Sequence, residues 1–172
     1  DFLQGPSKIH VKYGSTETFA IFFVFGDVMA PSESSEIMSY DGPEILLTIN
    51  DSLVNFGNIV DISISPNLEL FVLDSETSKI TIFDIKGNLK QSWGTMGNTD
   101  GQLNSPASIL AEKTLVHVSD AGNSRIVTFD NDGNFIRNWG NSGINYQSVQ
   151  NPTDIAVDDS GIYYVSDGNQ NK

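Results

Sequence analysis

The feature that most constrains this chain is a short apolar run closed by aspartate, which recurs at an almost constant step. F-F-V-F-G-D ends at Asp27, E-L-F-V-L-D at Asp74, V-H-V-S-D at Asp120 and Y-Y-V-S-D at Asp167, at steps of 47, 46 and 47 residues. Other markers keep the same phase. An aromatic precedes Asp at Tyr40-Asp41, Phe83-Asp84 and Phe129-Asp130, and Trp-Gly occurs at Trp93-Gly94 and Trp139-Gly140. Proline introduces an alternating apolar stretch at Pro6, Pro106 and Pro152. A self-similar period of this length is the mark of a repeat architecture, in which one supersecondary unit is stacked on copies of itself.

The markers divide the chain into units at about 1–50, 52–96, 97–142 and 144–172; the first is degenerate, with longer loops at 14–17 and 30–36, and the last is incomplete. Each complete unit reads as four strands. In the second unit the expected strands are Asp61–Ser65, Leu68–Leu73, Lys79–Phe83 and Leu89–Trp93, with a turn at Pro66-Asn67 and a hairpin at Lys86-Gly87-Asn88. In the third unit the hairpin turn is Asn131-Asp132-Gly133-Asn134. Val, Ile and Phe in alternation suit a pleated strand, and Gly and Asn suit positive φ at the turns. No long helical period is found. One four-stranded sheet per repeat selects an all-β fold, a β-propeller of antiparallel blades, over a sandwich assembled from hairpins.

At this level of detail the residues resemble a known family. Pro152–Lys172 resembles the opening of an NHL repeat, and Arg125–Gly140 resembles the closing half of one; the likeness is strong from about Ile59 onward and weak over the first fifty residues. It implies a propeller, commonly six-bladed, with the first strand of each blade nearest the axis. Six such blades would need on the order of 270 residues. The expectation is therefore about three and a half blades, either part of a longer propeller or a ring completed by another chain.

Composition narrows the function classes. There are 9 Lys+Arg against 22 Asp+Glu, a formal net charge of -13. Such a field repels nucleic acid and anionic membrane surfaces and suits solubility, cations or basic partners. The expected partner is a protein, or another copy of the chain where it completes the ring. No apolar run is long enough to span a bilayer as a helix, so no membrane insertion is expected. With no cysteine, thiolate chemistry and zinc–thiolate sites are excluded. Two histidines in different units, His10 and His117, cannot make a three-histidine zinc site, as the amidating-lyase relatives of the family would need.

The candidate sites are mostly repeat positions. Asp27, Asp74, Asp120 and Asp167 could display carboxylates around a rim, or each could tie down its following loop in an Asx-type turn. Five residues beyond three of them stand Lys79, Arg125 and Lys172, with Glu36 in that slot in the first unit, so a pairing with the basic residues is expected. A group that recurs in every blade reads as architecture. The clusters Asn98-Thr99-Asp100-Gly101, Asn131–Asn134 and Asp158-Asp159-Ser160-Gly161 carry oxygens suited to calcium but lack EF-hand spacing; Asp158 and Asp159 are the weak calcium candidates. Trp93 and Trp139 read as packing residues of the outer strand, with glycan or peptide stacking as the alternative. Asn50-Asp51-Ser52 fits a glycosylation acceptor. No nucleophile elbow or phosphate loop occurs. The expected role is a non-catalytic interaction or structural module, extracellular or at the cell surface. The alternative is a propeller-type metal-dependent lyase or lactone hydrolase with its site at the axial opening.

Overall fold

The computed structural model describes residues 8–13, 19–24, 54–140 and 148–168. The chain divides into two compact units, one up to Asn55 and one from Phe56 onward. In the first, β1 (Lys8–Tyr13) and β2 (Phe19–Val24) form an antiparallel hairpin, with Lys8 opposite Val24 and Tyr13 opposite Phe19.

The second unit is a series of antiparallel sheets. One holds β3 (Ile59–Ile64), β4 (Leu70–Asp74), β5 (Lys79–Phe83) and β6 (Leu89–Trp93) in sequence order. The next repeats the pattern with β7 (Pro106–Ala111), β8 (Leu115–Asp120), β9 (Arg125–Asp130) and β10 (Phe135–Trp139). The last pairs β11 (Pro152–Val157) with β12 (Tyr163–Asp167). A bulge interrupts the start of the first strand in all three, at Ile59/Asp61, Pro106/Ser108 and Pro152/Asp154. A bulge adds twist, and its recurrence at one position bends each sheet alike.

The first strands gather together, β3 beside β7 and β7 beside β11. Two bonds stitch β3 to β7: the Ile109 amide donates to Asp61 at 2.8 Å and the Ala111 amide to Ser63 Oγ at 2.9 Å. Sheets that share a line of first strands and stack through their faces are propeller blades. The chain has the all-β architecture of a partial propeller.

Stacking changes what strand alternation means. The face of the second-unit sheet bearing Phe71, Leu73, Ile80 and Ile82 packs against Ile109, Val116, Val118, Val127 and Phe129 of the third. In β8 the residues from Val116 to Asp120 are all buried, polar ones included. Alternation there sorts side chains between two neighbouring sheets rather than between core and water. Within the third-unit sheet Ser108 Oγ donates to Ser119 Oγ at 3.0 Å.

Two strand starts differ from expectation. β3 begins at Ile59 rather than Asp61, because Ile59 pairs with Asp74 ahead of the bulge. β4 begins at Leu70 rather than Leu68, because Leu68 has φ 60° and its amide donates to the Ser65 carbonyl within the turn. Ser65 belongs to the same turn, its Oγ and carbonyl oxygen serving as acceptors, so β3 ends one residue early. Asp27, Glu36, Lys172 and the Asn50-Asp51-Ser52 tripeptide lie outside the described residues.

Candidate functional site

The recurring aspartates point back into their own sheets. Asp74 accepts the amides of Gly57 at 2.7 Å and Asn58 at 3.0 Å, and also those of Glu76 and Thr77 in the following loop. Asp120 accepts the Asn104 amide at 2.6 Å. Asp167 accepts those of Gln150 at 2.7 Å and Asn151 at 3.1 Å. Each carboxylate therefore ties the chain entering the first strand to the end of the second. The carbonyls of Asn58, Asn104 and Asn151 in turn accept the amides of Ser75, Gly122 and Gly168. Burial pushes the Asp74 pKa up, but the amides of Gly57, Asn58 and Thr77 outweigh it and hold the carboxyl below its ordinary value. The recurrence of Asn at 58, 104 and 151 was a signal in the sequence that the aspartate markers overshadowed.

The basic residues five positions on do not behave alike. Arg125 Nε donates to Asp120 at 2.8 Å, and its Nη2 donates to the carbonyls of Thr99 at 2.8 Å and Gln102 at 2.7 Å. The guanidinium thus supplies the positive charge within the Asn98–Gly101 loop, where the carbonyl and Asp oxygens suggested a cation. Lys79 departs from the expected pairing. It is exposed, and Asp74 takes backbone amides instead; among the described residues no ion pair joins the two. A fork of donors can bond several carbonyls at once, which an ammonium on a flexible stem does less well.

A second set of aspartates closes turns. Asp84, Asp130 and Asp158 each accept amides two and four residues on: Lys86 and Asn88, Asp132 and Asn134, Ser160 and Ile162. The Asn88 and Asn134 side-chain amides are the main reason that Asp84 and Asp130 titrate below the ordinary carboxylate value. For Asp158 the leading cause is the Ile162 amide, with the Tyr164 hydroxyl adding at 3.0 Å. Asp158 thus directs its carboxylate into its own turn, and Asp159 beside it is exposed. Among the described residues no group of three or more His, Cys, Asp or Glu side chains converges as a metal would require.

Two further places bring titratable side chains close together. On the first strands, Asp61 and Asp154 occupy equivalent positions after the bulge. Burial pushes the Asp61 carboxyl up, and the nearby Asp154 charge adds to the rise. Asp61 was not singled out by pattern, since it reads as the polar partner of an alternating strand.

The other place lies between the third-unit sheet and β11–β12. His117, fully buried on β8, has Nδ1 2.9 Å from Thr128 Oγ1 and Nε2 2.8 Å from Glu112 Oε2. Trp139 Nε1 donates to the same Thr128 oxygen at 3.0 Å, and the Tyr163 hydroxyl donates to the same Glu112 oxygen at 2.7 Å. The ring of His117 meets that of Tyr163 at 4.9 Å and that of Trp139 at 6.2 Å. Burial pushes the His117 pKa down despite Glu112, and burial together with Glu112 pushes Tyr163 up to about 12. Both tryptophans are packing residues of their outer strands: Trp93 lies 4.9 Å from Phe129 of the next sheet, and Trp139 lies 5.6 Å from Tyr163 of the one after.

No protein-family model matches the chain, and no curated protein matches it in sequence. Solved structures do. A crystal structure described as a "putative 6-phosphogluconolactonase" from Bacteroides uniformis superimposes with a TM-score of 0.54 at 16% identity, covering 92% of this chain and 46% of that one. Hydrazine synthase from Kuenenia stuttgartiensis gives 0.44 at 16% identity, over 59% of this chain and 27% of that one. The chain spans less than half the length of either structure. At this identity the first likeness shows the propeller fold alone.

Proposed function

We propose that this chain is part of an NHL-type β-propeller that serves as a non-catalytic protein-interaction or structural module, in an extracellular or cell-surface setting. The observation that carries the reading is where the repeated polar groups go. Asp74, Asp120 and Asp167 bond backbone amides of their own sheets, and Asp84, Asp130 and Asp158 bond their own turns. Groups spent on the frame at each of these described positions leave recognition to the side chains that vary around it. With a net charge of -13, the partner that fits best is a protein with a basic surface. The NHL assignment draws on the Arg125–Gly140 and Pro152–Lys172 patterns.

The second reading, a propeller-type metal-dependent lyase or lactone hydrolase, is favoured by Asp61 and Asp154 at matching positions on the gathered first strands. Sugar-lactone turnover measured with calcium, magnesium and zinc separates the two. The interaction module predicts no turnover above buffer and a salt-sensitive complex with a protein partner in cross-linking of the intact protein. Turnover that disappears in Asp61→Asn or Asp154→Asn would overturn it.

A further inference from the structure

We propose that Glu112, His117 and Tyr163 form a pH-operated latch that holds the β11–β12 sheet against the third-unit sheet and loosens when His117 gains a proton.

The blade frame does not need a histidine at this place. Phe71 fills the equivalent slot of the preceding sheet and is equally buried, packed among the apolar side chains of the next sheet. At position 117 the slot instead holds a titratable ring bonded at both nitrogens. Its tautomer follows from its partners. The Glu112 carboxylate can only accept, so Nε2 carries the proton. Trp139 Nε1 can only donate, so the Thr128 oxygen accepts from it and the Thr128 hydroxyl hydrogen is free to point at Nδ1. Each bond along Trp139–Thr128–His117–Glu112–Tyr163 then has one donor and one acceptor with a neutral imidazole.

A second proton must go to Nδ1, where the hydroxyl hydrogen already points. The hydroxyl has to turn away, and Thr128 is then asked to accept from both the imidazole and the indole. Two charged groups and one neutral hydroxyl act on the ring, from three elements. Glu112, in the β7–β8 turn, favours the imidazolium. Arg137 on β10 opposes it, and Tyr163 on β12 stays neutral. Burial prevails over Glu112, so the closed arrangement disfavours the charged ring. Proton binding therefore favours a state in which the ring reaches water. The wall that can withdraw without breaking the strand ladder around His117 is the one contributed by the next sheet, the Tyr163 ring with its bond to Glu112.

The sign is fixed by linkage. A histidine whose folded pKa lies below its unfolded value adds stability that is fully present above the unfolded pKa of about 6.5 and is lost as pH falls toward the folded pKa. The test is amide hydrogen exchange on the chain between about pH 7.5 and about pH 5, corrected for the intrinsic rate. We expect protection of residues 152–157 and 163–167 to drop by roughly tenfold per pH unit over the titration, while residues 70–83 keep theirs. In His117→Phe, which places the Phe71 side chain of the preceding sheet in this slot, that pH dependence should vanish. A pH dependence retained in His117→Phe, or equal loss in both sheets of the wild type, would overturn the latch. Should His117→Phe fail to fold, imidazole NMR of the wild type is read beside the exchange data: a loss of protection at 152–157 and 163–167 that tracks a His117 titration below about 6.5 supports the proposal, and a titration at or above that value, or a loss that does not track it, sinks it.

Discussion

Asp120 and Asp74 hold equivalent positions yet carry different loads. Asp120 is fully buried and answers the Arg125 guanidinium, the Asn104 amide and the Asn123 side-chain amide. Replacing it with Ala strands a buried guanidinium, so Asp120→Ala should lose about 3–5 kcal/mol in urea unfolding. Lys79→Ala, at the position matching Arg125, should change stability by no more than about 0.5 kcal/mol, because that lysine is exposed. A loss at Lys79 as large as that at Asp120 would contradict this division. Asp74, held below its ordinary pKa, adds stability that is present above the unfolded carboxylate value and is lost as pH falls through the lowered folded value. Asp74→Asn should therefore flatten the acid limb of the stability curve, seen as a smaller drop in thermal midpoint between neutral and acid pH.

At the scale of the element, the turns show which local choices the sheets depend on. Gly133 and Gly161 both have positive φ, at 84° and 78°, within turns built on the same aspartate pattern. A Cβ at Gly133 would meet the Trp93 ring at 2.5 Å, whereas at Gly161 it would meet nothing within 4 Å. Gly161→Ala carries only the left-handed backbone cost, about 1–2 kcal/mol. Gly133→Ala adds a clash between two sheets and should cost about 1–3 kcal/mol more. Equal thermal shifts for the two would show that the Trp93 contact does not constrain the turn.

For the molecule as a whole, stability lies in the joints between sheets as much as within them. Asp61 shows what one joint costs: it accepts the Ile109 amide from the neighbouring sheet, and burial pushes its carboxyl up. Above that raised pKa the ionised group burdens the fold, and the burden shrinks as pH falls toward the ordinary value of 3.8. Asp61→Asn removes the charge and keeps one accepting oxygen for the Ile109 amide, but its NH2 then faces the Ile62 amide that the second carboxylate oxygen accepts at 2.8 Å. The wild type gains from protonation as pH falls and the variant does not, so the urea midpoint of the variant relative to the wild type should be highest at neutral pH and fall in acid. A relative midpoint that rises in acid would mean that the charge supports the joint.

The period of 46 to 47 residues, the strand alternation and the Gly and Asn turns were enough to read four-stranded blades from sequence, because alternation and turn choice are encoded by residues within one hairpin of each other and the period repeats that local code. The role of Arg125 was half legible: Asp120 lies only five residues away, but the Thr99 and Gln102 carbonyls lie more than twenty residues back. What tertiary structure alone decided was the partner of each polar side chain. Asp61 and Ile109 are 48 residues apart, and Tyr163 reaches Glu112 across 51. The sequence places His117 in a strand, but only stacking brings Glu112, Thr128, Trp139 and Tyr163 around it. A local pattern specifies which faces of a strand are apolar, but only the packing of one sheet on the next determines what each buried polar atom meets.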